Sequence, residues 1–334
     1  MKITRVRKSA IAIAVGALLL SGCSSSDSES AGGAYAGPIQ DTPGTINVLA
    51  WPGYAEDGST DPNVDWVTPF EKETGCTVNV KTYGTSDEAV QLMQSGGYDV
   101  VSASGDASLR LIFGGDLQPV NLDLIPNYAD VFANLKDRPW NTIDGANYGV
   151  PHGRGANVLQ YTIDKVKPAP DSWSVVWEPN SPLKGKITAY DSAIYIADAA
   201  VYLMSTKPEL GITDPYALDQ TQFDAAMELL KQQKPLVAEY WADYTKYVAA
   251  VQAGSIVAGT SWQVIANVLN GEKSTVGAVK PKEGATGWSD TWMISKNTEA
   301  IDCAYKWLDW IISPATNAQA AEYFGEAPAN SKAC

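Results

Sequence analysis

The chain has 334 residues, 45% hydrophobic and 10% aromatic, with a formal charge of −14. That length and apolar content support a packed body of up to two ordinary domains. The acidic balance lacks the basic footprint that nucleic acid or an anionic lipid surface selects, which argues against both as partners.

In chain order, Lys2, Arg5, Arg7 and Lys8 precede an apolar run over 10–20 that is too short to remain in a bilayer as a spanning helix. Leu20-Ser21-Gly22-Cys23 follows and resembles a bacterial lipobox. That resemblance implies a signal peptide over 1–23, cut before Cys23, with lipid joined to the Cys23 sulfur; an ordinary cleaved signal is the alternative. The expectation is an exported protein in the periplasm or at the outer face of the cell membrane, anchored by its lipid and not embedded. Four of the 24 basic residues lie in the leader, so its loss leaves a charge near −18. Residues 24–44, rich in Ser, Gly, Ala and Asp, read as a flexible tether.

The body then alternates strand and helix. Strands are expected over 46–50, 77–80 and 98–101. Helices are expected over 64–74, stopped by Gly75, over 86–94, with Ser86 as its N-cap, and from about 106. This spacing requires crossovers and a parallel sheet, hence an α/β class. After Pro151 a second unit follows, with strands over 158–161, 186–189, 255–258 and 276–279. A helix over 222–233 carries Phe223, Met227 and Leu230 at helical spacing. Near the end, Ala304, Leu308, Ile311 and Ile312 line one helix face, and Ser313-Pro314 opens a last helix that closes before Gly325. The expected architecture is two lobes, 45–151 plus 285–334 and 152–284. The chain crosses twice, which creates a hinge and an interlobe cleft, the usual place for a small ligand.

Cys76, Cys303 and Cys334 remain once Cys23 is assigned to lipid. In an oxidising compartment one pair and one spare is the simplest count, with Cys303–Cys334 the first expectation and Cys76–Cys303 the second. With one histidine and no Cys-x-x-Cys, neither metal nor cofactor is expected. The sequence contains no nucleophile elbow, P-loop or dinucleotide fingerprint. A secreted hydrolase would have to use His152 or a carboxylate pair.

The informative residues are aromatic and acidic, and they fall at strand ends: Trp51 and Tyr54, Asp191, Trp262, and Trp288 with Asp290. Ring faces attract an organic cation by about 0.5–2 kcal/mol each. A carboxylate takes charge-assisted hydrogen bonds from ammonium. Any single tryptophan among the eleven is as well explained by core packing, so the case rests on several meeting at one cleft.

Asn47-Val48-Leu49-Ala50-Trp51-Pro52-Gly53-Tyr54, Phe70-Glu71-Lys72-Glu73-Thr74-Gly75, Gly97-Tyr98-Asp99-Val100-Val101, Pro281-Lys282-Glu283-Gly284 and Trp288-Ser289-Asp290 together resemble the spermidine/putrescine-binding group of solute-binding lipoproteins that serve bacterial ABC importers. The resemblance implies a two-lobed type II periplasmic-binding-protein fold, with Trp51 and Tyr54 as one aromatic wall and Trp262 and Trp288 as the other. It also implies that Asp290 and Asp191 meet the two ligand amines. There are departures. Ile194 stands where the group has a second acid, Glu326 where it has a pocket tyrosine, and Ser102-Ala103-Ser104-Gly105-Asp106 where it has an aromatic. Arg154, in Pro151-His152-Gly153-Arg154-Gly155, is a cation that polyamine binding does not need. It reads either as a hinge ion pair or as a clamp for a ligand carboxylate.

The resulting expectation is a monomeric receptor with no enzymatic turnover, binding a polyamine and passing it to membrane permease subunits. A receptor for a zwitterion such as 4-aminobutyrate is the alternative, and a secreted hydrolase the second.

Overall fold

The computed structural model describes residues 33–271 and 273–334. The expected signal peptide, Cys23 and the first part of the tether lie outside the described residues. No described helix is long and apolar enough to cross a membrane.

The chain opens with β1 (Gly44–Ala50), α1 (Val67–Thr74), β2 (Cys76–Thr82), α2 (Ser86–Ser95), β3 (Val100–Ala103) and α3 (Gly105–Gly114). A hairpin, β4 (Thr142–Ile143) and β5 (Ala146–Asn147), leads into β6 (Gly149–Ala156). Then come β7 (Val158–Thr162), α4 (Ser174–Trp177), β8 (Ile187–Tyr190), α5 (Tyr195–Thr206), α6 (Gln220–Gln233) and β9 (Val237–Trp241). These are followed by α7 (Tyr244–Ala253), β10 (Ala258–Ser261), α8 (Gln263–Asn270) and β11 (Val276–Val279). The chain finishes with β12 (Gly287–Ile294), α9 (Ile301–Ile311), α10 (Pro314–Phe324) and β13 (Ala327–Pro328).

Two sheets form the two lobes of this α/β protein. The first has the order β13-β6-β12-β3-β1-β2 and the second β11-β7-β10-β8-β9. β1 is parallel to β2 and β3, as the crossover helices demand, whereas β12 runs antiparallel between β3 and β6. The chain passes between the sheets at Asn157 and again over 280–286, so His152 and Arg154 sit on β6 of the first sheet. The two passages are tied together. Asn157 N donates to Thr286 O (3.0 Å) and Asn157 Nδ2 to Thr286 Oγ1 (2.6 Å), and Thr286 Oγ1 donates to Asp198 Oδ1 (2.9 Å) on α5.

Local chemistry explains most element ends. Gly75 takes φ 71° and closes α1, because an L side chain is strained there. Thr85 caps α2 by accepting from Glu88 N, so the cap lies one residue before the expected Ser86. Asp219 and Gln222 form a capping box on α6. The strand expected over 255–258 lies at Ala258–Ser261 instead, because Ser255 still belongs to the turn that ends α7, its N–H bonded to Ala250 O.

The expected Cys303–Cys334 bridge is not formed. Cys303 lies on the buried face of α9, which packs on β1, and bonds to Cys76 at the start of β2 with Cα atoms 5.9 Å apart. Cys334 is free and exposed. The end of the segment read as tether is also held. Gln40 N and Thr42 Oγ1 donate to Asp302, and Asp41 pairs with Lys306. Polar side chains of α9 thus fix residues that composition alone marks as loose.

Candidate functional site

A cavity of about 940 Å³ lies between the lobes. Part of its wall comes from the carboxyl ends of strands, where side chains project beyond the last ladder bond. Trp51 follows β1, Ser104 and Asp106 sit where β3 passes into α3, Tyr190 ends β8, and Trp262 links β10 to α8.

The aromatic residues form one connected surface. Trp51 packs on Tyr83 (ring centroids 4.4 Å) and meets Trp262 edge-on at 5.9 Å. Trp262 in turn meets Tyr190 (5.2 Å) and Trp241 (4.8 Å), so Trp51 and Trp262 lie together and Trp288 stands elsewhere. Trp288 packs perpendicular to Phe324 at 5.6 Å, over Gly155, where a Cβ would collide with the indole. Gly153 plays the same part for the Glu326 carboxyl. The two glycines of Pro151-His152-Gly153-Arg154-Gly155 therefore admit two side chains that define this end of the site.

The acidic end centres on Asp290. It is 2% exposed and accepts from Tyr54 Oη (2.9 Å, Oδ2) and Ser104 Oγ (2.6 Å, Oδ1). It has no cationic partner among the described residues. Burial pushes its carboxyl up to about 6; the two hydroxyl bonds oppose the rise and nearby Asp106 adds to it. Asp106 is also raised by burial, partly offset by its bond from Ser86 Oγ (3.1 Å).

Behind Asp290, Tyr54 Oη also lies 3.4 Å from Glu326 Oε2, and Glu326 Oε1 lies 3.1 Å from His152 Nε2, off the ideal hydrogen-bond line. Burial and the Asp290 charge hold the Glu326 carboxyl well above its ordinary range. Burial lowers His152 to about 3, and its Nδ1 accepts from Trp292 Nε1 at 3.0 Å.

Of the residues singled out from sequence, Trp51, Tyr54, Asp106, Arg154, Trp262, Trp288 and Asp290 line the cavity. Two do not. Glu326 sits behind Tyr54, drawn back by the space above Gly153. Asp191 is exposed and off the cavity. Its N–H continues the β8–β9 ladder to Trp241 O, and with Tyr190 turned to the cleft the next side chain along an extended segment turns away. Sequence reasoning missed Tyr190, Trp140, Phe324, Tyr216 and Arg138, which also line it. Arg138 lies over the Trp140 ring at 5.1 Å, and neither Arg138 nor Arg154 has an ion pair among the described residues.

Two lobes joined by two tied passages, enclosing a cavity with an aromatic surface and a buried carboxylate, define a solute receptor of the two-lobed binding-protein class. The family model for bacterial extracellular solute-binding proteins matches residues 65–333, and the chain belongs to that family. It is 28% identical over 267 residues to the putrescine-binding periplasmic protein SpuD of Pseudomonas aeruginosa, covering 75% of this chain and 70% of that one. It is 25% identical over 260 residues to the spermidine/putrescine-binding periplasmic protein of Escherichia coli, with 77% and 71% covered. Its fold is similar to that of a putative spermidine/putrescine ABC transporter from Listeria monocytogenes, with a TM-score of 0.72, 22% identity, and 86% and 84% covered.

Proposed function

We propose that the protein captures an amine-bearing solute, a polyamine of putrescine or spermidine size, in the interlobe cavity and delivers it to the membrane subunits of an ABC importer. It acts by binding and lobe closure, with no chemical turnover, as a monomer held to the membrane through lipid on Cys23. One observation carries this reading: Asp290 is a buried carboxylate beside aromatic rings, with no cation of the protein paired to it among the described residues. Burying a charge without a partner is costly, and a ligand ammonium supplies the counter-charge. Closure around such a ligand selects the lobe arrangement that a permease can recognise.

A second reading is favoured by Arg138 and Arg154, two cavity-lining guanidiniums without ion pairs among the described residues. They would suit the carboxylate of a zwitterion such as 4-aminobutyrate. The exposed position of Asp191 adds weight here, since a second carboxylate for a distal amine is not where sequence put it. A thermal-shift panel of putrescine, spermidine, 4-aminobutyrate and common amino acids separates the two. A rise with the polyamines alone supports the first reading. A rise with 4-aminobutyrate that Arg154→Ala removes supports the second. No rise with any amine contradicts both.

A further inference from the structure

We infer that Glu326 is a neutral acid, a positioning residue that donates its proton to Tyr54 and so leaves Asp290 as the single formal anion of a buried hydrogen-bond chain. The functional meaning rests on the reading of Asp290 given above; the placement of the protons does not.

An indole N–H can only donate, and Trp292 Nε1 is 3.0 Å from His152 Nδ1. His152 Nδ1 therefore carries no proton. An imidazolium needs a proton on both nitrogens, which would set two donors against each other at this contact, so His152 is neutral with its proton on Nε2. His152 Nε2 lies 3.1 Å from Glu326 Oε1, off the hydrogen-bond line, and both side chains are fully buried. No His⁺ is present to balance an ionised Glu326.

At the other oxygen, Tyr54 has one phenol proton and two carboxyl neighbours. It is 2.9 Å from Asp290 Oδ2 and 3.4 Å from Glu326 Oε2, so the proton goes to Asp290. Tyr54 Oη and Glu326 Oε2 then face each other as two oxygens, and only a proton on Glu326 Oε2 makes that contact favourable. If Glu326 were ionised, two anions would flank one phenol with no cation paired to either among the described residues. The protons then run in one direction: Trp292 donates to His152, Glu326 to Tyr54, and Tyr54 to Asp290, with Ser104 donating to the remaining Asp290 oxygen, while His152 Nε2 makes only an off-line contact with Glu326 Oε1. Burial favours the neutral form of both groups, holding Glu326 above its ordinary range and His152 below its own. The chain holds the Asp290 carboxylate in one orientation and keeps a second charge from competing with it.

His152 is the only histidine in the chain, so ¹⁵N NMR reports one imidazole. The expected spectrum is that of the neutral Nε2–H tautomer, unchanged across about pH 5 to 8. An infrared difference spectrum of Glu326→Gln against the parent protein at neutral pH should show loss of one protonated carboxyl band. Glu326→Gln can donate to Tyr54 as the neutral acid does and should melt close to the parent, whereas Glu326→Leu, which cannot, should melt lower. An imidazolium, an Nδ1–H tautomer, no missing carboxyl band, or equal destabilisation by Gln and Leu would each overturn the inference. None of these readings uses a ligand, so they fail independently of the amine assignment.

Discussion

Trp51 from the first lobe and Trp262 from the second meet edge to face, with ring centroids 5.9 Å apart. A second link between the lobes lies nearby, where Tyr190 Oη donates to Gly84 O at 3.3 Å. The lobes therefore touch through Trp51, Tyr190 and Trp262, which also wall the cavity. Trp262 is half-buried and sits between Trp51, Tyr190 and Trp241. Trp262→Ala should weaken amine binding by roughly 2- to 30-fold, the equivalent of about 0.5–2 kcal/mol for one ring face. Calorimetric titration measures this, and an unchanged dissociation constant would place the guest elsewhere.

Asp198, bonded to the second passage between the lobes, should make the stability of the fold depend on pH. It is buried on α5, accepts from Thr286 Oγ1, and burial raises its carboxyl to about 7. In the unfolded chain it titrates near the ordinary value of about 3.9. The folded state binds this proton more tightly, so the stabilisation is complete below about pH 4 and is lost as pH rises through 7. Asp198→Asn keeps a hydrogen-bonding amide without the charge. It should flatten the part of the melting-temperature profile that declines between about pH 4 and 7. Parallel profiles for the two proteins would show that Asp198 is not the group responsible.

The two possible cysteine pairings make opposite forecasts. Cys76 and Cys303 are 227 residues apart in sequence, and their bond closes most of the body into one loop. Cys303→Ser should cost about 2–5 kcal/mol of stability in denaturant titrations under oxidising conditions. Cys334→Ser should cost nothing measurable, since that thiol is exposed and free. Matching losses from the two substitutions would contradict the bridge seen here.

The alternation of the first lobe is legible in the sequence because β1 to α3 carry short apolar runs, local caps and a glycine stop at Gly75. α5 is not, because Tyr195–Thr206 is apolar almost all round and buried on most sides, which erases the helical period. Trp51, Trp262, Trp288 and Asp290 are within reach of sequence reasoning because each follows or lies on a strand. Arg138, Trp140 and Phe324 come to the cavity from the loop after α3 and from the end of α10, and no local pattern announces that. Asp191 shows the limit of strand-end reasoning. A shift of one residue moved a side chain from the cleft to solvent, and Tyr190 took its place. Glu326 is named by the family resemblance, but its place behind Tyr54 depends on the space above Gly153, which no local pattern announces.

Under the proposed function, Asp290 supplies the counter-charge for a bound amine. This is tested by calorimetric titration of the parent protein and Asp290→Asn with whichever amine raises the melting temperature most. Asp290→Asn should lose at least about 100-fold in affinity, as expected when a buried ammonium loses its charge-assisted partner. Equal affinity in the two proteins would contradict it.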